Sequence, residues 1–195
     1  MRSGFTAFFT QRVEFKHGQT FLRPGALLTL TINGKTYSIL FLHTKATSKP
    51  IGLGIRDDQF QRAFKFKRHL DKAAGGRGKA NFIFLGDLNT AGLRYPYEND
   101  IPAGDEIRRL KSRAGYAGMR VLSKDENATW WNGPGSLYPP ADFDHVVASK
   151  HLSFKDFGGA EVTVLGWPKE RSDAKKARWI SKYSDHGLLY MEVLA

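Results

Sequence analysis

The chain has 195 residues, with 30 Lys and Arg against 19 Asp and Glu; the net charge of +11 favours a polyanionic partner, nucleic acid ahead of an anionic membrane surface. It contains no cysteine, which excludes disulfide frameworks, thiolate zinc sites and cysteine nucleophiles together. The length suits one domain, 1–195, with a single sizeable core, and no run approaches the roughly eighteen apolar residues that a membrane span needs.

Taken in chain order, the apolar start Phe5-Thr6-Ala7-Phe8-Phe9 is short, broken by Thr6 and followed by Gln11 and Arg12, so it makes a poor signal peptide and a cytoplasmic location is expected. Leu27 to Ile32 and Tyr37 to Leu42 flank Asn33-Gly34, the two positive-φ residues of a tight primed turn, and predict a hairpin with His43 directly after its second strand. Asp57 to Ala74 places Phe60, Ala63, Phe64, Leu70 and Ala74 at helical spacing, with Gly75-Gly76 beyond its end. Asn81 to Leu85 reads as a buried strand running into Gly86-Asp87-Leu88-Asn89-Thr90. Asp105 to Ala114 predicts a second helix stopped by Gly115. Strands are expected again at 143–148, 162–165 and 188–193, and the basic stretch 169–182 fits either a third helix or a loop. Strands outnumber helices, and hairpins mix with helical crossovers, which gives an α+β or layered sandwich architecture.

Chemistry gathers at strand ends. His43 and Asp87 follow the C-terminal ends of their strands, whereas Asp142-Phe143-Asp144 and Asp185-His186 precede theirs; between antiparallel neighbours these opposite ends share one edge. Asp87 and Asn89 are two apart and point the same way in extended backbone, an acid beside a neutral amide suited to a hard cation or a phosphate-bound water, although an Asx turn gives the same pattern. Asp144, set in an apolar strand, needs a hydrogen-bonding partner, and a histidine is the natural candidate.

A strand ending in His43, then Gly86-Asp87-Leu88-Asn89, Thr129-Trp130, Asp144-His145-Val146-Val147 and Ser184-Asp185-His186, in that order, resembles the successive motifs of the endonuclease/exonuclease/phosphatase superfamily. Arg56 and Gln59 also resemble that family's Arg and Gln at the head of a helix. The resemblance implies a four-layer αββα sandwich of the deoxyribonuclease I-like type. It implies that Asp185 binds a catalytic Mg2+ or Mn2+ ion, and that Asp87 and Asn89 position or activate the attacking water and hold a second ion. His186, oriented by Asp144, then contacts the phosphoryl oxygens and serves as general acid or base, with His43 as a second phosphate or proton-transfer group and Thr129 as a lesser phosphate contact.

One departure stands out. The family begins with strands carrying an Asn and a Gln-Glu pair, and neither precedes His43; Glu14, in Arg12-Val13-Glu14-Phe15, reads as part of a later strand. The expected fold is therefore minimal or N-terminally shortened, with an unpaired sheet edge that invites a homo-oligomer or a completing chain.

Substrate choice rests on charge. Arg62, Lys65, Lys67, Arg68 and Lys72, then Arg108, Arg109, Lys111 and Arg113, then Lys169 to Lys182 form basic stretches, the last leading into Asp185-His186. Lys45, Arg178, Trp179 and Lys182 are expected to join Thr129 in binding phosphate or nucleic acid, Trp179 by stacking on a base or wedging into a groove. The sequence thus points to a metal-dependent nuclease acting on nucleic acid, DNA before RNA, with low sequence specificity. A catalytically silent nucleic-acid-binding remnant and a phosphatase or phosphodiesterase for lipid or small-molecule phosphates are the alternatives.

Overall fold

The structure, a computed structural model, describes residues 5–12, 18, 22–96 and 99–194. Glu14 lies outside the described residues. The chain divides into two compact units, 1–121 with 145–152, and 122–144 with 153–195, so that one boundary falls between Asp144 and His145.

The first unit is built on a six-stranded sheet. Its strands are β1 (Phe5–Arg12), β2 (Gly25–Ile32), β3 (Lys35–Phe41), β4 (Asn81–Asp87), β5 (Met119–Val121) and β6 (Asp144–Ser149), in the spatial order β1-β2-β3-β4-β6-β5. Asn33 (φ 50°) and Gly34 (φ 74°) both turn positive, which is the chemistry of the primed turn, and they set the register Ile32↔Lys35. β3 and β4 run parallel, so they need a crossover, and helix α1 (Pro50–Ala73) supplies it. β1 is the edge strand, and residues 6–11 are exposed throughout.

Helix α1 begins seven residues before the expected Asp57, with Pro50 in the first turn, where its missing N–H costs nothing. Gly52 is required there: a Cβ would lie 2.4 Å from the Thr47 carbonyl oxygen. Helix α2 (Ala103–Tyr116) covers the expected 105–114 and a little more at each end. Phe60 and Phe64 from α1, Leu110 and Ala114 from α2, and Leu40, Phe82, Phe84 and Val147 from the sheet make one buried cluster.

The second unit carries two short antiparallel pairs and a helix. β8 (Thr163–Leu165) pairs with β9 (Leu188–Tyr190), and β7 (Ser153–Phe154) with β10 (Val193–Leu194). The expected single strand 188–193 is thus two, each with a different partner. The basic stretch resolves into a 3-10 turn, Trp167–Lys169, followed by helix α3 (Asp173–Lys182), whose Ser172 hydroxyl caps the Lys175 N–H. The whole is a mixed α+β fold. Among the described residues no helix is long and apolar enough to cross a membrane.

Candidate active site

In the first unit the parallel pairing of β3 and β4 continues past the strand ends, through Leu42 N–H to Leu85 O and Thr44 N–H to Asp87 O, both 2.9 Å. That register places His43 beside Asp87, with Nε2 3.3 Å from Oδ2; the His43 side chain is 60% exposed and the Asp87 carboxylate 16%. Gly86 makes the approach possible. Its φ is +130°, and a Cβ would lie 2.2 Å from the Leu42 carbonyl oxygen, so no side chain fits between the strands.

Beyond Asp87 the chain turns through Asn89, a buried non-glycine residue at φ 47°. The Asn89 N–H donates to Asp87 Oδ1 at 3.0 Å, and its side-chain amide donates to the Thr44 carbonyl at 3.3 Å. The Asx turn and the site pattern are therefore one arrangement, since the same turn fixes the Asp87 carboxylate. The Thr44 hydroxyl closes the loop onto Leu88 O at 2.6 Å, and the buried Thr90 hydroxyl lies 2.9 Å from His145 Nε2.

Arg56 braces both loops from beneath. It is fully buried and donates to the carbonyls of Lys45 (3.1 Å), Thr47 (2.7 Å) and Gly92 (2.9 Å), while its other N–H groups meet both oxygens of Glu106. Glu106 also accepts the Gly92 N–H at 2.8 Å. Sequence reading did not single out Glu106, because an acid in the first turn of a helix fits the macrodipole equally well.

In the second unit, His186 Nδ1 lies 2.8 Å from Asp144 Oδ2; the Asp144 side chain is 10% exposed and that of His186 29%. Thr129 holds the aspartate in place. Its buried Oγ1 accepts the N–H groups of Phe143 and Asp144 at 3.1 and 2.9 Å, and its carbonyl accepts the Gly187 N–H at 2.7 Å. The Thr129 hydroxyl oxygen is enclosed and accepts two backbone hydrogens, so it helps to position Asp144.

Asp185 is held at three points. The Trp130 indole donates to its carboxylate Oδ2 at 2.8 Å, and the Trp167 indole and the Trp131 N–H donate to its carbonyl at 3.0 and 2.9 Å. Sequence reading missed these indole donors, although the adjacent Thr129-Trp130 was a signal. Phe143 stacks on Trp130 at 5.3 Å between centroids. Further along, Asp125 binds the Thr163 hydroxyl, the Val164 N–H and the Lys169 ammonium; burial works against its charge, but these donors hold its carboxyl below the ordinary 3.8.

The basic stretches divide by surroundings. Lys67, expected on a charged face, is fully buried and bound to Asp71 at 2.5 Å; Arg113 pairs with Asp57, and Arg62 with Asp58. In the second unit Arg178 and Lys182 are exposed on α3, whereas Trp179 is half-buried and lies against Gly166. Lys45 is half-buried, and its carbonyl is anchored by Arg56.

No protein-family model matches the chain, and a search of curated proteins finds no relative. Solved structures do match. TDP2 of D. rerio, solved with a single-strand DNA product, aligns over 100% of this chain and 70% of its own, with a TM-score of 0.60 and 16% identity. A mannosyl-6-phosphatase of Bacteroides thetaiotaomicron aligns over 100% of this chain and 68% of its own (TM-score 0.55, 16% identity), and an endonuclease/exonuclease/phosphatase protein of Beutenbergia cavernae over 96% and 44% (TM-score 0.54, 13% identity).

Proposed function

We propose that this chain, whose fold is the deoxyribonuclease I-like fold of the endonuclease/exonuclease/phosphatase superfamily, is a metal-dependent phosphodiester hydrolase acting on nucleic acid, DNA in the first place and with low sequence specificity. The observation that carries it is the Asp144–His186 pair: with Nδ1 bound to a buried carboxylate, the imidazole is fixed in orientation and turns Nε2 to the substrate.

His186 then donates through Nε2 to a phosphoryl oxygen and delivers a proton to the leaving oxygen as the P–O bond breaks. Asp87, itself steadied by Asn89, accepts the proton of the attacking water. His43, exposed beside Asp87, is a second phosphate or proton-transfer group. Asp185, fixed by Trp130, is the group from which a metal ligand is expected.

The donor set fits a hard cation. Asp87 and Asp185 offer carboxylate oxygens, and Asn89, whose amide nitrogen is used by Thr44, offers its remaining carbonyl oxygen, all suited to Mg2+ or Mn2+. An ion held by Asp185, and a second held by Asp87 with Asn89, would supply charge neutralisation: without it a phosphate about 4 Å from a carboxylate is repelled by about 4 kcal/mol at an effective dielectric of 20. Arg178, Lys182 and Lys45 supply backbone contacts.

The test is incubation with plasmid and with short single- and double-stranded oligonucleotides, with magnesium or with chelator. Cutting that needs the ion and disappears in Asp185→Ala and His186→Ala supports the proposal. Tight binding without cutting in any condition overturns it in favour of a silent remnant. The mannosyl-6-phosphatase neighbour gives a second reading, a phosphatase for small phosphate esters; release of phosphate from mannose 6-phosphate, with nucleic acid left intact, would select it.

A further inference from the structure

The cleft along α3 adds a substrate class to the reading just given, on which the inference rests. Glu170, Lys175, Arg178, Trp179, Lys182 and Tyr183 line about 600 Å3, three cations against one carboxylate. Of its two aromatics, Trp179 is committed to packing: a Cβ on Gly166, at φ +97°, would come within 2.5 Å of its ring. Tyr183 is turned to solvent and 64% exposed. Its ring lies 5.3 Å from that of Trp179, and the Lys182 ammonium 5.0 Å from its centroid. The Tyr183 backbone closes α3, with its N–H on the Trp179 carbonyl at 2.9 Å, so the ring is presented from a fixed helix end. His186 lies three residues further on, at most about 10 Å along the chain.

We propose that this cleft is a subsite for one unstacked nucleobase of a single-stranded nucleic acid, lying on Tyr183 with its flanking phosphates on Lys175, Arg178 and Lys182. Inside a duplex each base has both faces covered by its neighbours and offers the ring nothing to stack on, whereas a single strand offers every base in turn. A lipid headgroup or a sugar phosphate satisfies the cations but brings no flat π face for an exposed aromatic. Stacking tolerates all bases, in keeping with low sequence specificity.

Fluorescence anisotropy in chelator, where no cutting occurs, tests this with a short labelled oligothymidylate and a dumbbell duplex that has no free ends. Tyr183→Ala weakens binding of the oligothymidylate about tenfold. Tyr183→Phe, which keeps the ring, retains wild-type affinity, and the dumbbell binds both variants like the wild type. An Ala variant that binds oligothymidylate as tightly as wild type, or that loses as much on the dumbbell, overturns the subsite. Hydrolysis of methyl p-nitrophenyl phosphate by the wild-type protein with magnesium involves no nucleobase and reads the catalytic proposal separately. Its failure sinks that proposal, while the stacking result is decided in chelator alone.

Discussion

Arg56 and Glu106, fifty residues apart and both buried, form a two-pronged ion pair, with Nε on Oε1 at 2.6 Å and Nη2 on Oε2 at 2.8 Å. The pair ties α2 to α1, and through the carbonyls of Lys45, Thr47 and Gly92 it holds the loops on either side of His43 and Asp87. Removing one partner leaves the other charge buried and unpaired, which costs about 3–5 kcal/mol. Glu106→Ala is therefore expected to lower the melting temperature by roughly 10 °C. The paired replacement Arg56→Met with Glu106→Leu should recover much of that loss in a calorimetric scan, and the single variant should be the less stable of the two.

Gly86 sets the close approach of β4 to the end of β3. Gly86→Ala introduces a Cβ 2.2 Å from the Leu42 carbonyl at φ +130°, so both collision and backbone strain act together. A loss of at least about 1–3 kcal/mol is expected from the strain alone. Urea denaturation measures it, and a variant as stable as wild type would show that the two strands are not packed as described.

Asp144 works through His186. His186→Ala should lower kcat by about 10²–10⁴ with little change in KM, the range for loss of a general acid or base. Asp144→Asn keeps a hydrogen bond to Nδ1 but loses the charge, so its kcat should fall between wild type and His186→Ala, and steady-state kinetics on one oligonucleotide compares all three.

Asp125 gives the second unit a pH signature. Its folded pKa lies below the ordinary 3.8, so the stability it confers is fully present at neutral pH and is lost as the pH falls through the folded value. Asp125→Asn should be less stable than wild type near neutrality, and the gap should close on descending below about pH 3.8. Denaturation curves at neutral and acid pH decide this; a gap that widens in acid has the wrong sign.

Salt dependence counts the phosphates. Each contact on a single strand contributes a slope of about −0.7 in log K against log salt, so contacts from Lys45, Lys175, Arg178 and Lys182 predict a slope near about −3. Lys182→Ala should make it shallower by about 0.7, measured by titration in chelator.

What sequence shows depends on whether the cause is local. The hairpin was legible because Asn33-Gly34 carries its turn chemistry in two residues, and the strand running into Asp87 because its apolar run is unbroken. The first turns of α1 were not, since Gly52 and Gly54 argue against a helix; only the distant Thr47 carbonyl explains Gly52. The split of 188–193 was hidden for a similar reason: β9 pairs with β8, then the chain changes partner, and Glu192 O accepts the Lys155 N–H as β10 joins β7. Lys67 was counted in a basic stretch, and its burial against Asp71 follows from tertiary packing. At the candidate site, a need for a histidine at Asp144 was readable from its apolar strand. The enclosed role of Thr129 and the indoles on Asp185 were not, because they join segments up to 55 residues apart.

The proposed hydrolysis is tested most directly by measuring oligonucleotide cutting with magnesium in the wild type, in Asp87→Asn and in His186→Ala. If Asp87 accepts the water's proton and His186 supplies the leaving group's, each single change removes nearly all activity. An Asp87→Asn protein that cuts at the wild-type rate would contradict the account.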